Sequence, residues 1–274
     1  MKAAIFREVG QPLEIENISI SKPGPREVLV RTAAAGVCHS DLHFIEGLYP
    51  AQTPMVLGHE SAGIVEQVGS DVTYVKPGDH VITCLSVFCG HCEQCLTGHM
   101  SLCSSAEVRR DQDEEPRLAQ EGTLVNQFAN LSAFAEQMLI HEHALVKIRE
   151  DMPLDRAALL GCAVTTGVGS VFHTAAVEPG STVAVIGCGG VGLSCINGAA
   201  IAGAGRIIAI DMVDSKLAMA KEFGATDIVN GSNGDAVQQV IELTGGGVQY
   251  SFEAIGLKQT AEDAFNMLRA GGAA

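Results

Sequence analysis

The chain has 274 residues, 47% of them hydrophobic and 18% charged, a composition too apolar for a disordered protein and long enough for two domains. Thirty-two acidic residues against 17 Lys and Arg leave a formal net charge of −15, which disfavours nucleic acid and anionic membranes as partners. The first residues, MKAAIFREVG, show no apolar signal segment. We therefore expect a cytoplasmic, reducing environment.

The first part of the chain is rich in short β-branched runs. Residues 27–37, 61–69 and 79–85 alternate with Gly, Pro and Asp, which predicts a small, irregular β domain. The acidic segment 109–117 predicts a solvated loop. Strand character returns over 134–148, and 151–161 predicts the start of a capped helix.

Four cysteines occur within fifteen residues, in the segment CGHCEQCLTGHMSLC: Cys89, Cys92, Cys95 and Cys103. Disulfides do not persist in a reducing compartment, and a thioredoxin-like pair would open a helix rather than lie in a glycine-containing loop. Four thiolates converging on one point are typical of a structural zinc site without an open coordination position. Unliganded thiols are the alternative.

From Ser181 onwards the pattern becomes a regular alternation of strands and helices, which predicts a parallel sheet. The predicted strands are 181–187, 206–211, 227–230 and 248–256, and the predicted helices are 189–202, 214–224, 234–243 and 258–270. Six strands would complete a sheet of this kind. We expect the chain to end on the last helix, with no strand beside it.

The glycine-rich segment GCGGVG lies between the first of these strands and the following helix, the context of a dinucleotide-binding turn. Its candidate cofactor residues are Gly187, Gly189, Gly190 and Gly192. Asp211 ends the next strand, where a carboxylate can bind an adenosine ribose and repel a 2′-phosphate, which favours NAD over NADP. Lys216 either binds the ribose or is a solvated helix residue. An ordinary strand-to-helix turn is the alternative for the whole segment.

Five motifs together resemble the zinc-dependent medium-chain alcohol dehydrogenases, including class III-like and bacterial members: GVCHSD (36–41), GHE (58–60), the four-cysteine lobe, GCAVTTG (161–167) and GCGGVG (187–192). The resemblance covers nearly the whole chain. It implies an α/β protein with a GroES-like β-rich catalytic domain over 1–165, which contains the zinc lobe 89–103. An incomplete Rossmann domain, a doubly wound parallel sheet that binds NAD, follows over 166–274.

The resemblance also implies roles for single residues. Cys38, His59 and Cys162 would bind a catalytic zinc, Asp41 would orient His59, and Glu60 would lie beside the metal. Ser40 and His43 match the family's proton relay, His39 the pyrophosphate contact and Thr166 the nicotinamide contact. Cys84, Cys188 and Cys195 are interpreted as packing residues.

The implied reaction is the reversible oxidation of an alcohol to an aldehyde or ketone, with hydride transfer to NAD. Because the predicted sheet is incomplete, we expect a truncated chain with weak or no turnover, lacking the dimer edge through which family members form homo-oligomers. A zinc- and nucleotide-binding module without turnover is the second hypothesis. The zinc-free quinone reductase branch is disfavoured because it lacks these Cys and His sets. Aliphatic alcohols, aromatic alcohols and hydroxymethyl-thiol adducts all stay open as substrates.

Overall fold

A computed structural model describes residues 1–111 and 113–274 of the chain. They form two compact units, Met1–Cys162 and Ala163–Ala274. The boundary predicted between 165 and 166 falls inside the helix Ala163–Gly169, and this helix belongs entirely to the second unit.

The first unit is built from twelve described strands in three sheets. The strands are β1 Lys2–Phe6, β2 Glu14–Asn17, β3 Ser19–Ile20, β4 Glu27–Gly36, β5 Met55–Val56, β6 Glu60–Val68, β7 His80–Thr83, β8 Leu118–Gln120, β9 Thr123–Leu124, β10 Asn126–Gln127, β11 Gln137–His141 and β12 Leu145–Lys147. Their orders are β11-β4-β6-β7-β12, β10-β5-β1-β2 and β3-β8-β9. The main core packs apolar residues of the five-stranded sheet, among them Val28, Val30, Val65 and Ile140, because one side chain in two faces inwards.

Three short α-helices connect these strands: α1 His39–Ile45, α2 Glu93–Leu96 and α3 Leu154–Ala157. The helix start predicted over 151–161 lies at α3. It begins after Pro153 without a side-chain cap and continues as a 3₁₀ turn, Ala158–Gly161.

The acidic segment 109–117 is only partly the solvated loop that its composition predicts. Its described acids are exposed, but Arg110 and Arg117 turn inwards and both bind the buried carboxylate of Glu27. Glu27 opens β4, so this ion pair cluster attaches the segment to the central sheet.

The second unit is a parallel sheet with the order β15-β14-β13-β16-β17. Its strands are β13 Thr182–Ile186, β14 Arg206–Asp211, β15 Asp227–Asn230, β16 Val248–Glu253 and β17 Leu268–Ala273. Its helices are α4 Ala163–Gly169, α5 Gly190–Ile201, α6 Asp214–Glu222, α7 Ala236–Thr244 and α8 Lys258–Asn266. The mixed α/β class, with a β-rich unit followed by a Rossmann-like parallel sheet, is confirmed.

The expectation that no strand follows the last helix is wrong. Helix α8 ends at Asn266, and β17 pairs in parallel with β16, with Leu268 opposite Val248 and Ala273 opposite Tyr250. The segment LRAGGA has no β-branched or aromatic residue, so it carries no local strand signal. Pairing with β16 makes it a strand, and β16 is an interior strand as a result.

Among the described residues no single helix is long and apolar enough to cross a membrane; one bent pair, Leu154–Gly161 with Ala163–Thr174, meets the test by length and composition only.

Candidate metal centres and dinucleotide site

Three residues from distant parts of the sequence converge within the first unit. Cys38 precedes α1, His59 lies between β5 and β6, and Cys162 follows the 3₁₀ turn after α3. One possible ligand atom from each lies within 4.8 Å of the other two. Two sulfurs and one imidazole nitrogen form a three-ligand set of the kind that holds catalytic zinc and leaves a fourth position open.

Two glycines allow this convergence. Gly58, directly before His59, has φ +93°, and a Cβ on it would lie 2.7 Å from the ring of Phe134. Gly161, directly before Cys162, lies so close to β7 that a Cβ would be 2.4 Å from the carbonyl oxygen of Thr83. Only a residue without a side chain fits at either position, so the GHE and GC motifs contain a packing requirement as well as ligands.

Asp41 joins the two sequence motifs of this site. Its buried carboxylate accepts hydrogen bonds from the backbone N–H of Cys38 at 3.1 Å and of Gly58 at 3.1 Å. It also lies 3.3 Å from Nδ1 of His59. An Nδ1–H held by a carboxylate leaves Nε2 as the nitrogen that can bind a cation.

The charges of the site suit a divalent cation. Hydrogen bonds from Cys162, His59 and Ser40 lower the pKa of Cys38 to about 3, although burial opposes them. Burial lowers the pKa of His59, but its hydrogen bond to Asp41 and its contact with the Cys38 thiolate outweigh burial and raise that pKa to about 10. The lowered pKa favours the thiolate form of Cys38, which is the form that binds zinc, and a zinc ion bound at Nε2 would take the place of a proton on His59.

Helix α1 carries three further predicted site residues beside this centre. Ser40 donates hydrogen bonds to Cys38 through its hydroxyl and its backbone N–H. Ser40 and His43 are three residues apart and share one side of the helix. The ring of His43 lies 4.7 Å from that of His39 and 5.4 Å from that of Tyr49. The structure thus groups His39, Ser40 and His43, and their roles in a relay and a pyrophosphate contact stay predictions.

Glu60 is buried at the start of β6, directly after His59. Its side chain lies against Gly36, where a Cβ would be 2.3 Å from a carboxylate oxygen of Glu60. Gly36 therefore provides the space that this carboxylate occupies beside the motif GVCHSD.

Sequence reasoning missed the aromatic side chains next to this centre. The ring of Phe128 packs edge-on against His59, with centroids 5.4 Å apart, and Phe44 lies 4.8 Å from Phe128. Phe44 also contacts Tyr49 at 5.5 Å. Phe128 opens a 3₁₀ turn in which Ala129 has φ 52°, a conformation that alanine itself does not signal.

The four cysteines of the lobe form a second cluster in the first unit. The Sγ atoms of Cys92 and Cys95 lie 3.4 Å apart, those of Cys89 and Cys95 3.8 Å, and those of Cys92 and Cys103 3.9 Å. Four sulfurs at about 2.3 Å from a tetrahedral zinc lie about 3.8 Å from one another. The arrangement therefore fits one tetrahedral zinc ion.

The protonation of the lobe cysteines also fits a metal site. Hydrogen bonds from the backbone of His91 and Cys92 help to lower the pKa of Cys89 to about 6, whereas burial and the neighbouring sulfurs raise the pKa of Cys95 to about 11. Like charges oppose the ionisation of all four thiols, and a divalent cation removes this opposition.

The glycine-rich turn lies between β13 and α5 in the second unit. Gly187 has φ +93°, and a Cβ on Gly192 would lie 1.7 Å from the carbonyl oxygen of Gly187. A Cβ on Gly189 would have no atom within 4 Å, whereas a Cβ on Gly190 would lie 3.2 Å from the Cβ of Ala163. Two of these glycines thus shape the turn and its helix contact, and Gly189 leaves the opening that a pyrophosphate would need.

Asp211 ends β14 beside this turn. Its carboxylate accepts hydrogen bonds from the backbone N–H of Cys188 at 2.8 Å and of Val213 at 3.0 Å, and Nζ of Lys216 lies 3.9 Å away. The structure therefore brings Asp211 and Lys216 together at the predicted ribose position. This edge of the sheet is also where the strand order reverses, between β13 and β16, the usual ligand position in such folds.

Thr166 is exposed on α4, which packs closely on α5: a Cβ on Gly167 would lie 2.5 Å from the carbonyl oxygen of Val191. Residues 163–167 of the motif GCAVTTG thus lie next to the helix of the glycine-rich turn within the second unit. Cys188 and Cys195 are buried, and burial raises the pKa of each thiol to about 11, which agrees with their interpretation as packing residues.

Comparisons with known proteins agree with both units. Residues 24–150 match the alcohol dehydrogenase GroES-like domain, and residues 190–274 match the zinc-binding dehydrogenase family. An alcohol dehydrogenase zinc-binding domain protein from Burkholderia ambifaria is 40% identical, with a TM-score of 0.89 over 97% of this chain and 74% of that one. The chain belongs to the zinc-dependent medium-chain alcohol dehydrogenase family.

Two further family members extend the comparison. The benzyl alcohol dehydrogenase of Acinetobacter calcoaceticus is 36% identical, with a TM-score of 0.89 over 99% of this chain and 75% of that one. A provisionally assigned zinc-binding dehydrogenase from Sinorhizobium meliloti 1021, bound to NADP, is 30% identical, with a TM-score of 0.82 over 99% of this chain and 74% of that one. The chain thus spans about three quarters of each of these dehydrogenases.

Proposed function

We propose that this family member is a zinc-containing, NAD-dependent alcohol dehydrogenase that reversibly oxidises an alcohol to an aldehyde or ketone. The observation that carries the proposal is the convergence of Cys38, His59 and Cys162, with Asp41 orienting the imidazole. Zinc bound by these three residues supplies Lewis-acid activation of an alcohol oxygen, and NAD supplies the hydride acceptor.

The protein's own residues hold and move the proton. The hydroxyl of Ser40 donates a hydrogen bond to Cys38, so Ser40 lies next to the metal ligands. Its oxygen can accept the proton of the alcohol. His43, one helical turn later, passes that proton towards solvent. The Asp41 carboxylate keeps the His59 ring in one orientation throughout.

The residues of the second unit bind the dinucleotide in this proposal. The open side of Gly189 admits the pyrophosphate, and Asp211 accepts hydrogen bonds from the adenosine ribose. A carboxylate held by two backbone N–H groups would repel a 2′-phosphate, which supports NAD as the preferred cofactor.

Aromatic alcohols are the substrate class that the site favours. The rings of Phe44, Tyr49 and Phe128 lie beside His59 and His43, so the surroundings of the site are aromatic and suit an aromatic substrate. The name of the Acinetobacter relative points in the same direction. Because all nine cysteines are free and zinc needs thiolates, we also propose a reducing, cytoplasmic location.

The test is benzyl-alcohol-dependent formation of NADH by the zinc-loaded chain, with NADP as the competing cofactor. Cys38→Ser is expected to lose activity and one zinc per chain while the lobe zinc stays bound. Cys84→Ser, in the same unit but in neither cysteine group, is the matched control and should keep both. Normal activity of Cys38→Ser would refute the proposal, and binding of zinc and NAD without any product would favour the non-enzymatic alternative.

A further inference from the structure

The outer side of the cysteine lobe carries two side chains that neither zinc centre uses. His91 lies between Cys89 and Cys92 in sequence, and Glu107 follows in the 3₁₀ turn Ala106–Val108. Nε2 of His91 lies 3.0 Å from a carboxylate oxygen of Glu107. Possible ligand atoms of Cys89, His91 and Glu107 all lie within 4.8 Å of one another.

We propose that Cys89, His91 and Glu107 form an accessory site for a divalent cation such as zinc, which would be the second ion in the lobe. The Cys89 thiolate would bridge this ion and the zinc bound by the four cysteines. The inference rests on the lobe zinc, since Cys89 serves both ions. It adds a third metal ion to the two proposed above.

The donor chemistry selects the kind of cation. A thiolate, an imidazole and a carboxylate are the three ligand types of zinc, whereas magnesium and calcium prefer oxygen alone. Nitrogen and oxygen ligands at about 2.0 to 2.1 Å from a tetrahedral zinc lie about 3.3 Å apart. The 3.0 Å between His91 and Glu107 needs only a small adjustment to meet that spacing.

Charge favours a second cation at this place. Four thiolates around one divalent ion leave a net charge of −2, and Glu107 adds a further negative charge beside it. A thiolate sulfur has lone pairs enough to bind two cations, so Cys89 does not need to leave the first. The formal charge of −15 on the whole chain also favours cation uptake.

Exposure distinguishes the accessory site from the lobe centre. The side chains of His91 and Glu107 are 64% and 41% exposed, whereas Cys89 is buried. An ion pair this exposed contributes little to stability, so the pairing of His91 with Glu107 adds little to the stability of the lobe. An ion held there by three protein ligands, with water at the fourth position, would exchange readily with solution.

The experiment is a cadmium titration of the full chain, monitored by calorimetry and by cadmium NMR. Cadmium reports each ion separately, because the chemical shift depends on how many sulfurs bind it. We expect one four-sulfur signal, one two-sulfur signal from the centre at Cys38, and a third signal with one sulfur. The β-protons of Cys89 should couple to two cadmium ions.

Four variants decide the assignment. His91→Ala and Glu107→Gln should each weaken binding of the third ion roughly tenfold or more and leave the four-sulfur signal unchanged, which also shows that the lobe is folded. His99→Ala and Glu93→Gln remove an exposed imidazole and an exposed carboxylate from the same lobe outside the proposed set, and should bind all three ions as the parent does.

The inference is overturned if the parent takes up only two ions in millimolar cadmium, or if uptake of the third ion is equal in His91→Ala, Glu107→Gln and the parent. It is also overturned if the control variants lose that ion as well, which would indicate unspecific surface binding. If the parent shows no four-sulfur signal, the lobe zinc itself is refuted. If only the two-sulfur signal is missing from the parent, the proposed enzyme activity is refuted and the accessory site in the lobe is not.

Discussion

At the scale of single residues, Asp41 has the most connections in the first metal centre. One buried carboxylate binds the backbone before α1, the backbone before His59 and the His59 ring itself. It therefore couples the position of one ligand to that of another, and we expect metal affinity to depend on it although it is not a ligand.

Replacing Asp41 by Asn should weaken zinc binding at the Cys38 centre roughly 10- to 100-fold, because the ring of His59 loses its charged partner. Competition with a chromophoric chelator would measure this. Asp71→Asn, at an exposed site in the same unit, is the matched control and should bind zinc like the parent. Equal affinity of the two variants would contradict the role of Asp41.

Cofactor preference is also decided by one residue in the proposal. Asp211→Asn should weaken NAD binding by about tenfold or more, since a hydrogen bond to a charged group is worth roughly 1.5 to 3 kcal/mol, and should improve the use of NADP. Calorimetric Kd values for both dinucleotides measure the change. Asp214→Asn, three residues later at the start of α6, should leave the ratio of the two Kd values as it is.

At the scale of secondary-structure elements, the turn between β13 and α5 separates glycines that shape the fold from one that leaves room for a ligand. Gly192→Ala places a methyl group on the backbone of Gly187 and should destabilise the second unit. Gly189→Ala meets no atom within 4 Å, and its φ of −85° suits alanine, so its thermal stability should match the parent.

Dinucleotide binding separates the two variants further. Gly189→Ala should bind NAD more weakly although it is folded, because the methyl group enters the opening proposed for the pyrophosphate. Thermal unfolding and a calorimetric NAD titration of both variants give the comparison. Unchanged NAD affinity of Gly189→Ala would contradict the placement of the pyrophosphate.

The ion pair cluster that holds the segment 109–117 on β4 predicts a pH dependence of stability. Burial raises the pKa of Glu27, but hydrogen bonds and charge from Arg110 and Arg117 outweigh burial and lower it below the ordinary value of 4.5. A carboxyl group with a lowered pKa stabilises the folded state above its ordinary pKa. That contribution is lost as the pH falls through the lower pKa of the folded state.

Glu27→Gln should therefore lower the free energy of unfolding by roughly 3 to 5 kcal/mol at neutral pH, because it leaves the buried Arg117 and the partly buried Arg110 without their carboxylate partner. The difference from the parent should shrink as the pH falls through the folded-state pKa of Glu27. Urea unfolding at several pH values measures both effects. Asp151→Asn, which removes an exposed pair with Arg149, should change the free energy by less than about 1 kcal/mol.

At the scale of the whole molecule, the two kinds of ligand belong to different units. All seven predicted zinc ligands lie within Met1–Cys162, and the glycine-rich turn and Asp211 lie within Ala163–Ala274. A chelator and a dinucleotide should therefore act on different parts of the chain.

Amide hydrogen exchange is the measurement for this prediction. Removing zinc should speed exchange around 38–60 and 89–103, since structural zinc contributes directly to folding free energy. Adding NAD should slow exchange around 187–216. Faster exchange on chelation confined to the second unit would contradict the placement of the metal sites.

The local sequence pattern was sufficient to predict an element where the residues of that element carry the signal themselves. The apolar runs RIIAID and DIVN are strands at the predicted bounds, because β-branched residues in a buried parallel sheet carry that signal themselves. The spacing of Cys89, Cys92, Cys95 and Cys103 likewise indicated a metal site, since short turns alone bring most of those sulfurs together.

By itself, then, the sequence determined the class of fold, the family and the residue types that could bind zinc and a dinucleotide, because these depend on neighbours along the chain. Tertiary structure alone decided that LRAGGA is a strand, that Arg110 and Arg117 turn inwards, that Phe128 lies against His59, and that His91 meets Glu107. Each of these is a contact between segments whose local propensities say nothing about the partner, and packing across the sheet and lobe supplies the missing energy.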